Sequence, residues 1–471
     1  RSLGTALSIA TMTGSELGLI TVMYQAQKGF TGGFAALHIG LIAGIVTLFV
    51  GLTGFIVAPL RRTGVMTIPE YYERRVDRGT RVLGGVLLAL GGILNMGLFL
   101  RVGSQFVVGV TGLEQGGATL AIVMTVLLVL VLFYTVLGGM VSVVLTDYVQ
   151  FVVLSFGLIA LVLLAIQNLG FDHIADVMNQ TRGAGSFDPR SEFGGPYIAW
   201  MGILGLVSCA IWPTAVTRAL AARDEGVVKR QNTFSSLSFM IRFLLPCFVG
   251  IAAFVFLTEA GAVILQDPET KTWSFTLAGD TEAQDSIMAM PIYFRHLLPA
   301  GLLGLLTAAM LAAFMSTHDS YLLCWSSVIA RDILAPLKGA RATPERQLLW
   351  TRIGIVVIGI YVLIWGIFYE PSQDVWEYLG ITGAVYFTGA IVVLTAGLYW
   401  RRASAVGARW ALVAGLSAVI GLGPVKAAVG LEDVSAPVIG LVTLGIAALA
   451  MLMGSLLFPD GATTDADEET V

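Results

Sequence analysis

The stretch AAFMSTHDS, residues 312–320, lies inside an apolar run that covers residues 300–330. A helix needs about 20 apolar residues to cross the hydrocarbon core of a bilayer, so the run predicts a membrane-spanning helix. Ser316, Thr317 and Ser320 would share one helical face with Ala313, and Asp319 would lie beside them. The stretch predicts either a functional polar site or, alternatively, hydroxyls that bond back to their own helix carbonyls.

Similar apolar runs recur along the whole chain. Of the 471 residues, 56% are hydrophobic and only 12% are charged, whereas soluble domains carry about 25% charged residues. We therefore predict an all-α integral membrane protein of about 12 transmembrane helices embedded in a lipid bilayer. A net charge of −4 gives no reason to expect a nucleic-acid partner. The runs cover residues 3–25, 34–60, 82–111, 118–137, 140–168, 197–217, 233–258, 300–330, 353–369, 376–400, 410–425 and 435–458.

The distribution of positive charge predicts how these helices are oriented. If the first helix runs outward, most of the 27 lysine and arginine residues fall in cytoplasmic loops, as the positive-inside rule requires. We expect a multi-pass protein of the cell inner (plasma) membrane with both ends of the chain in the cytoplasm. Residues 459–471 are acidic and are predicted to form a disordered tail.

The first apolar run carries the stretch IATMTGSE, residues 9–16. Its hydroxyl residues and glycine weaken a helix locally, which can free backbone carbonyls as ligands for Na⁺. In transporters such broken helices line central sites. The alternative is that the glycine packs against a neighbouring helix.

Other charged residues inside the predicted helices are also candidates for function. Asp147 would be kept ionised by a bound cation, or it is a hydrogen-bonded structural aspartate. Arg101 lies in the outer half of its helix, from which it can reach the interface. Arg242 lies near mid-depth, and its partner is either Glu16, in a structural pair, or an anionic solute.

Five segments, in order along the chain, resemble the sodium/solute symporter family. The stretch 138–150 is similar to its G-G-x-x-x-V-x-x-T-D-x-x-Q signature, and TIPEY at 67–71 is similar to its T-I-P-E-[FY] motif. The other three are RALAA at 218–222, residues 313–320 and YWRR at 399–402. The resemblance implies a LeuT-type core, residues 1–400, built from inverted five-helix repeats at 1–168 and 197–400. Two additional helices would follow at 401–458.

The resemblance also implies ligand sites. A sodium site would use the carbonyls of Ile9, Met12 and Ala313 with the hydroxyls of Ser316 and Thr317. A second sodium would be held by Asp147, Ser316, Asp319 and Ser320. Solute-binding positions map onto Glu16, Asn95, Phe239 and Gly380. Asn95 fits the pattern of a sugar carrier, but the other three residues do not. Arg101 and Arg242 favour a solute that carries a carboxylate.

The function implied by this resemblance is that of a sodium-coupled secondary active symporter. It would import a small polar, carboxylate-bearing solute, an organic acid or an amino acid, by alternating access, with Na⁺ as the coupling ion. The alternatives are a symporter coupled to protons through Glu16, Asp147 and Asp319, and a transporter-like membrane sensor. No motif of the sequence points to an enzyme.

Overall fold

The structure is a computed structural model that describes residues 4–114, 116–137, 140–268, 272–339, 342–369 and 373–460. Only the backbone is described at residues 6–7, 10–11, 14–15, 134, 136–137 and 140–151. The side chain of Asp147 and most of the predicted acidic tail therefore lie outside the described part.

Helices make up nearly all of the first half of the chain. Their bounds are α1 Thr5–Glu16, α2 Leu19–Gly32, α3 His38–Thr53, α4 Val57–Arg62, α5 Ile68–Arg75, α6 Arg78–Asn95, α7 Phe99–Thr111, α8 Gly117–Leu137, α9 Met140–Leu169, α10 Phe171–Arg182, α11 Pro189–Phe193, α12 Gly195–Ala210 and α13 Pro213–Ala221. Short 3₁₀ turns lie at Gly33–Leu37, Met96–Leu98 and Ala184–Phe187.

The second half begins with the long helix α14 and contains a small sheet. Its helices are α14 Glu225–Glu259, α15 Ala289–Leu297, α16 Ala300–Val328, α17 Ala335–Lys338, α18 Pro344–Phe368, α19 Val375–Tyr399, α20 Ala405–Gly415, α21 Gly423–Val429 and α22 Ala436–Leu457. A π-helical turn, Ile329–Leu334, links α16 to α17. The strands β1 Val263–Gln266, β2 Trp273–Thr276 and β3 Gln284–Asp285 form an antiparallel sheet in the order β1-β2-β3.

This sheet corrects the all-α prediction for the loop between α14 and α15. Val263 pairs with Thr276, and Ser274 pairs with Asp285. The loop between α9 and α12 contains the short helices α10 and α11. Both loops lie outside the apolar runs, where short segments carry too few residues to set a hydrophobic period.

Eight helical segments within the described residues are long and apolar enough to cross a membrane, or up to 10 if each of two bent pairs counts as one span. The bent pairs are α12 with α13, at 41°, and α20, extended by the 3₁₀ turn Leu416–Gly421, with α21, at 90°. The architecture is thus that of a helical membrane protein. The second bend corrects the prediction of one continuous run at 410–425.

One of these segments, Leu19–Thr53, reverses its direction along the way. Met12 contacts Gln231 and Phe30 contacts Phe254, so α1 and α2 advance in the same direction as α14. In α3 the order is opposite, because Gly40 lies beside Leu244 and Gly51 beside Thr233. The reversal falls at Gly33, whose φ of 58° is a conformation that favours glycine. Helices α2 and α3 therefore pass α14 in opposite directions.

Two helices are interrupted where they meet at the centre of the protein. The first break is Leu17–Gly18, between α1 and α2, where both residues are extended. This corrects the prediction that the helix weakens within residues 9–16, because α1 is helical through Ile9 and Met12. The backbone carbonyls without intrahelical partners are those of the last turn, residues 13–16.

The second break, Ile211–Trp212, has a local cause in the sequence. Pro213 has no backbone N–H, so α12 cannot continue through it, but it suits the first turn of α13. Trp212, which precedes the proline, takes the extended conformation expected there, with φ −62° and ψ 130°.

Candidate functional site

A cavity of about 140 Å³ lies where the two broken helices meet. Glu16 and Gly18 at the first break line it, as do Trp212 and Thr214 at the second. Further lining residues come from α2, α6, α7, α12, α14, α16 and α19. The cavity therefore lies at the junction of both broken helices with the surrounding bundle.

Glu16, the last residue of α1, joins the two breaks. Its Oε2 accepts a hydrogen bond from Nη1 of Arg242 at 2.8 Å, and its Oε1 accepts one from the Thr214 hydroxyl at 3.0 Å. The same Arg242 nitrogen donates to the Glu16 backbone carbonyl at 2.9 Å. This carbonyl belongs to the last turn of α1, which lacks intrahelical partners. Glu16 thus ties α1 to both α13 and α14.

Arg242 of α14 is almost fully buried beside Glu16. Its Nη2 donates to the Ser208 hydroxyl of α12 at 3.0 Å. The guanidinium lies 3.9 Å from the ring centroid of Phe239 and 4.6 Å from that of Phe243, which are cation–π distances. Of the two partners that the sequence left open for Arg242, the structure contains Glu16.

The structure places two of the predicted solute-binding residues away from this cavity. Phe239 is only 1% exposed and packs behind the Arg242 guanidinium. Arg101 donates to the carbonyls of Gly366 and Tyr369, each at 3.2 Å, at the end of α18. There it satisfies carbonyls that the helix itself leaves without partners.

Asn95 and Gly380 do line the cavity. The Asn95 amide donates to the Leu379 carbonyl at 2.8 Å and to the Thr382 hydroxyl at 3.2 Å, so it is held against α19. A Cβ on Gly380 would lie 3.4 Å from Trp200 Nε1. The absence of a side chain at this position keeps α19 close to α12.

Aromatic residues form much of the remaining wall, and the sequence analysis did not identify them. They come from four helices and the second break: Tyr24, Phe99, Trp212, Tyr321, Trp376 and Phe387. Trp212 Nε1 donates to the Tyr321 hydroxyl at 2.9 Å, which links the second break to α16. The one available signal was Trp212 itself, directly before the helix-breaking Pro213.

Thr317, one of the predicted sodium residues of α16, faces the first break. A Cβ on Gly18 would lie 2.5 Å from Thr317 Oγ1. The hydroxyls of Ser316 and Thr317 donate to the Ala313 carbonyl at 3.2 Å and 2.8 Å. Both therefore bond back to a carbonyl of their own helix, which was the alternative prediction for this stretch. Each hydroxyl oxygen keeps lone pairs that can accept a cation. Met12 is fully buried and Ile9 is half-buried.

The residues of the predicted second sodium site are only partly described. Asp319 is 1% exposed, and its Oδ1 has no hydrogen-bond partner among the described atoms. Thr135 of α8 lies within hydrogen-bond reach of this carboxylate. Ser320 is half-buried. The Asp319 carboxylate thus lies near α8. The side chain of Asp147 is outside the described part of the chain.

Above the cavity, a second charged cluster joins α2 to α19. Lys28, only 4% exposed, pairs with Asp374 and lies 3.6 Å from Glu377. Its ammonium also lies 5.2 Å from the ring centroid of Tyr197 in α12. In the adjoining loop, burial raises the pKa of Asp285, to which Gln27 donates a hydrogen bond. The cluster therefore joins side chains from three helices, α2, α12 and α19.

Broken helices around a central cavity are typical of one class of membrane protein, the secondary transporters. The family model described as sodium:solute symporter family matches residues 1–415. The chain belongs to the sodium:solute symporter family.

Curated relatives are transporters. The chain is 27% identical to the sodium/mannose cotransporter SLC5A10 of Bos taurus over 75% of this chain and 61% of the relative. It is 24% identical to sodium/proline symporter 2 of Staphylococcus saprophyticus over 89% of this chain and 78% of the relative. The chain spans about three fifths of the length of the first of these relatives.

Solved structures share the fold. A Na⁺-coupled sialic acid symporter in a substrate-bound outward-open state superposes with a TM-score of 0.76 at 19% identity, covering 98% of this chain and 92% of that chain. MhsT in complex with L-phenylalanine superposes with a TM-score of 0.56 at 14% identity, covering 97% and 99%. The LeuT-type fold predicted from the motifs is that of these neighbours.

Proposed function

We propose that this chain is a sodium-coupled secondary active symporter that imports a small polar solute. The observation that carries the proposal is the cavity between the two broken helices, with Glu16 and Arg242 joining them. The chain would cross the plasma membrane 12 times as two inverted repeats and two further helices, with both ends in the cytoplasm. The reversal at Gly33 supports this number, because it divides Leu19–Thr53 into two crossings.

The coupling ion would bind between the first broken helix and α16. We propose that the Ala313 carbonyl and the hydroxyls of Ser316 and Thr317 hold Na⁺ with the Ile9 and Met12 carbonyls, each of which keeps a second lone pair beside its helical hydrogen bond. The contact of Thr317 with Gly18 supports this, because it brings the hydroxyl face of α16 to the break in the leading helix. A membrane potential favours Na⁺ entry by about 2.3 kcal/mol per 100 mV. Asp319, with Ser320 and Asp147, would hold a second cation.

Coupling would follow from the differential affinity of sodium for two conformations. Sodium would tie α1 to α16 in the outward-facing state and so favour solute binding. Glu16 ends α1 and bonds to Thr214 beyond the second break, so movement of one broken helix is transmitted to the other. The cluster of Lys28 with Asp374 and Glu377 would separate when the outer side opens.

Sodium binding is tested without knowledge of the solute. We expect NaCl, but not KCl, to raise the melting temperature of the purified protein, because a ligand at about 100 times its Kd stabilises the folded state by about 2.7 kcal/mol. The double variant Ser316→Ala, Thr317→Ala should lose this response. The matched control is Ser326→Ala on the same helix, whose hydroxyl also bonds to its own helix carbonyl, at 2.6 Å from Leu322 O.

The control should keep the full sodium response. An unchanged response in the double variant would refute the proposed site, whereas stabilisation that follows pH and ignores Na⁺ would support proton coupling instead.

The solute would carry a carboxylate, and a zwitterion fits the cavity best. Glu16 and Arg242 both line the cavity, and as a pair they carry no net charge. A neutral zwitterion would therefore enter without adding net charge, with its amine near Glu16 and its carboxylate near Arg242. Aromatic walls would cover its apolar part.

A thermal-shift screen of amino acids, organic acids and sugars, each with NaCl or KCl, tests this proposal. We expect an amino acid to stabilise the protein only with NaCl, and the carboxamide analogue of that compound to bind at least about tenfold more weakly, since a charge-assisted hydrogen bond is lost. Sodium-dependent stabilisation by a sugar alone would contradict the carboxylate proposal and leave sodium coupling intact.

A further inference from the structure

Helix α14 carries a second polar feature that the solute site does not use. Gln231, Ser235, Ser238 and Arg242 recur at intervals of four, three and four residues, so they lie on one helical face. Arg242 at one end of this face lines the cavity. Gln231 lies six residues from the start of α14, so the face extends about three turns from Arg242 toward the proposed cytoplasmic side.

This face is turned toward α1. Gln231 Nε2 contacts Met12 Sδ at 2.8 Å, and Arg242 bonds to Glu16 at 2.8 Å. Met12 and Glu16 are four residues apart and therefore lie on one face of α1. We name the interface of Met12 and Glu16 with the four residues of α14 the α1–α14 seam.

Buried polar atoms in the seam lack protein partners among the described residues. Gln231 and Ser235 are both 0% exposed, and Gln231 Oε1 and Ser235 Oγ have no hydrogen-bond partner there. At Arg242, 5% exposed, Nε is also without one. Lipid cannot satisfy such groups, so each is costly unless a ligand in the seam, or a side chain outside the described part of the chain, supplies a partner.

We propose that the α1–α14 seam is a track of transient binding sites for hydrated Na⁺ between the predicted sodium site and the cytoplasm. The amide oxygen of Gln231 and the hydroxyl oxygen of Ser235 are the hard oxygen ligands that an alkali cation prefers. Both are neutral, so they bind the ion weakly enough to release it, as conduction through a series of sites requires. Met12, whose carbonyl is a predicted sodium ligand, is the residue that Gln231 contacts. The proposal rests on the proposed function, which supplies the ion.

Cysteine accessibility tests the seam directly. Cys209, Cys247 and Cys324 are replaced by alanine, and Ser235→Cys or Ser236→Cys is added to this parent. Ser236 is the matched control because its backbone carbonyl lies on the side of α14 that packs against Gly44 of α3. Each purified variant, reconstituted in lipid vesicles with both faces accessible, is treated with a cationic, membrane-impermeant methanethiosulfonate.

We expect Ser235→Cys to react much faster than Ser236→Cys, although Ser235 is the more buried residue of the two. Sodium at about ten times its Kd should slow the reaction about tenfold relative to choline, because about one site in ten then remains free. If Ser235→Cys does not fold, Ser238→Cys on the same face replaces it. Equal reaction rates at the two positions, or a rate that sodium leaves unchanged, would overturn the proposal.

Failure of this proposal and failure of the proposed function have different signatures. If the cysteine-free parent is stabilised by NaCl but the labelling pattern is absent, the seam is refuted and sodium coupling remains. If NaCl does not stabilise either the parent or the unmodified protein, the proposed function itself is refuted.

Discussion

Replacing Gly29 by alanine is expected to prevent formation of the folded protein. A Cβ at Gly29 of α2 would overlap the backbone carbonyl oxygen of Cys247 in α14, and a Cβ at Gly250 would overlap that of Ala26. Because the obstructing atoms are backbone, no side-chain rotation relieves the clash, and the helices must separate. Overpacking costs about 1–3 kcal/mol where side chains can yield, so a larger loss is expected here. Size-exclusion chromatography and the melting temperature measure the result.

Gly202→Ala is the matched control for this substitution. Gly202 lies inside α12 and has no atom within 4 Å of a built Cβ. Alanine there should be neutral or stabilising by up to about 1 kcal/mol, from its higher helix propensity. Gly250→Ala should reproduce the defect of Gly29→Ala. Normal yield and stability of Gly29→Ala would show that α2 and α14 do not pack as closely as described.

The second large effect is expected at Arg242. Arg242→Met removes the cation that pairs with Glu16, whose side chain is only 12% exposed, and leaves its carboxylate without that partner. Removing one member of a buried ion pair costs about 3–5 kcal/mol. Sodium-dependent solute stabilisation should also disappear, because the proposed carboxylate ligand is lost. Thermal unfolding with and without NaCl and the amino acid found in the screen measures both effects.

A double-mutant cycle separates the charge from the packing of this pair. Glu16→Gln keeps an oxygen that can accept from Thr214, and the double variant Glu16→Gln, Arg242→Met contains no unpaired charge at either position. The double variant should therefore be more stable than Arg242→Met alone. If the double variant is less stable than both single variants, the pair of Glu16 and Arg242 does not stabilise the protein through charge.

The sequence was most informative where residues act through composition and local pattern. The apolar runs indicate a membrane protein because each helix must match the bilayer by itself. Pro213 ends α12 locally. Glu16 and Arg242 were candidates from the cost of charge in a membrane alone. The motifs that resemble the symporter family led to the same fold as that of the solved neighbours. The same resemblance selected Asn95 and Gly380, which line the cavity.

Contacts between distant segments were accessible only in the tertiary structure. The first break lies at Leu17–Gly18, past the expected stretch, because Gly18 packs against Thr317, which is 299 residues away in the chain. Arg101, a solute candidate by charge, instead caps the end of α18. The aromatic wall draws on helices that no sequence period connects. Spacing along one helix shows which residues share a face, whereas only packing decides what that face meets.

By itself, then, the sequence determined the membrane-spanning class, the family and the two charged residues at the cavity, Glu16 and Arg242, because burying a charge in lipid is costly wherever the chain places it. The tertiary structure decided which of those residues meet: Glu16 with Arg242, Thr317 with Gly18, and Gln231 with Met12. Such pairings depend on how helices approach one another, and that approach is set by small residues at their crossings and by the mutual fit of many side chains.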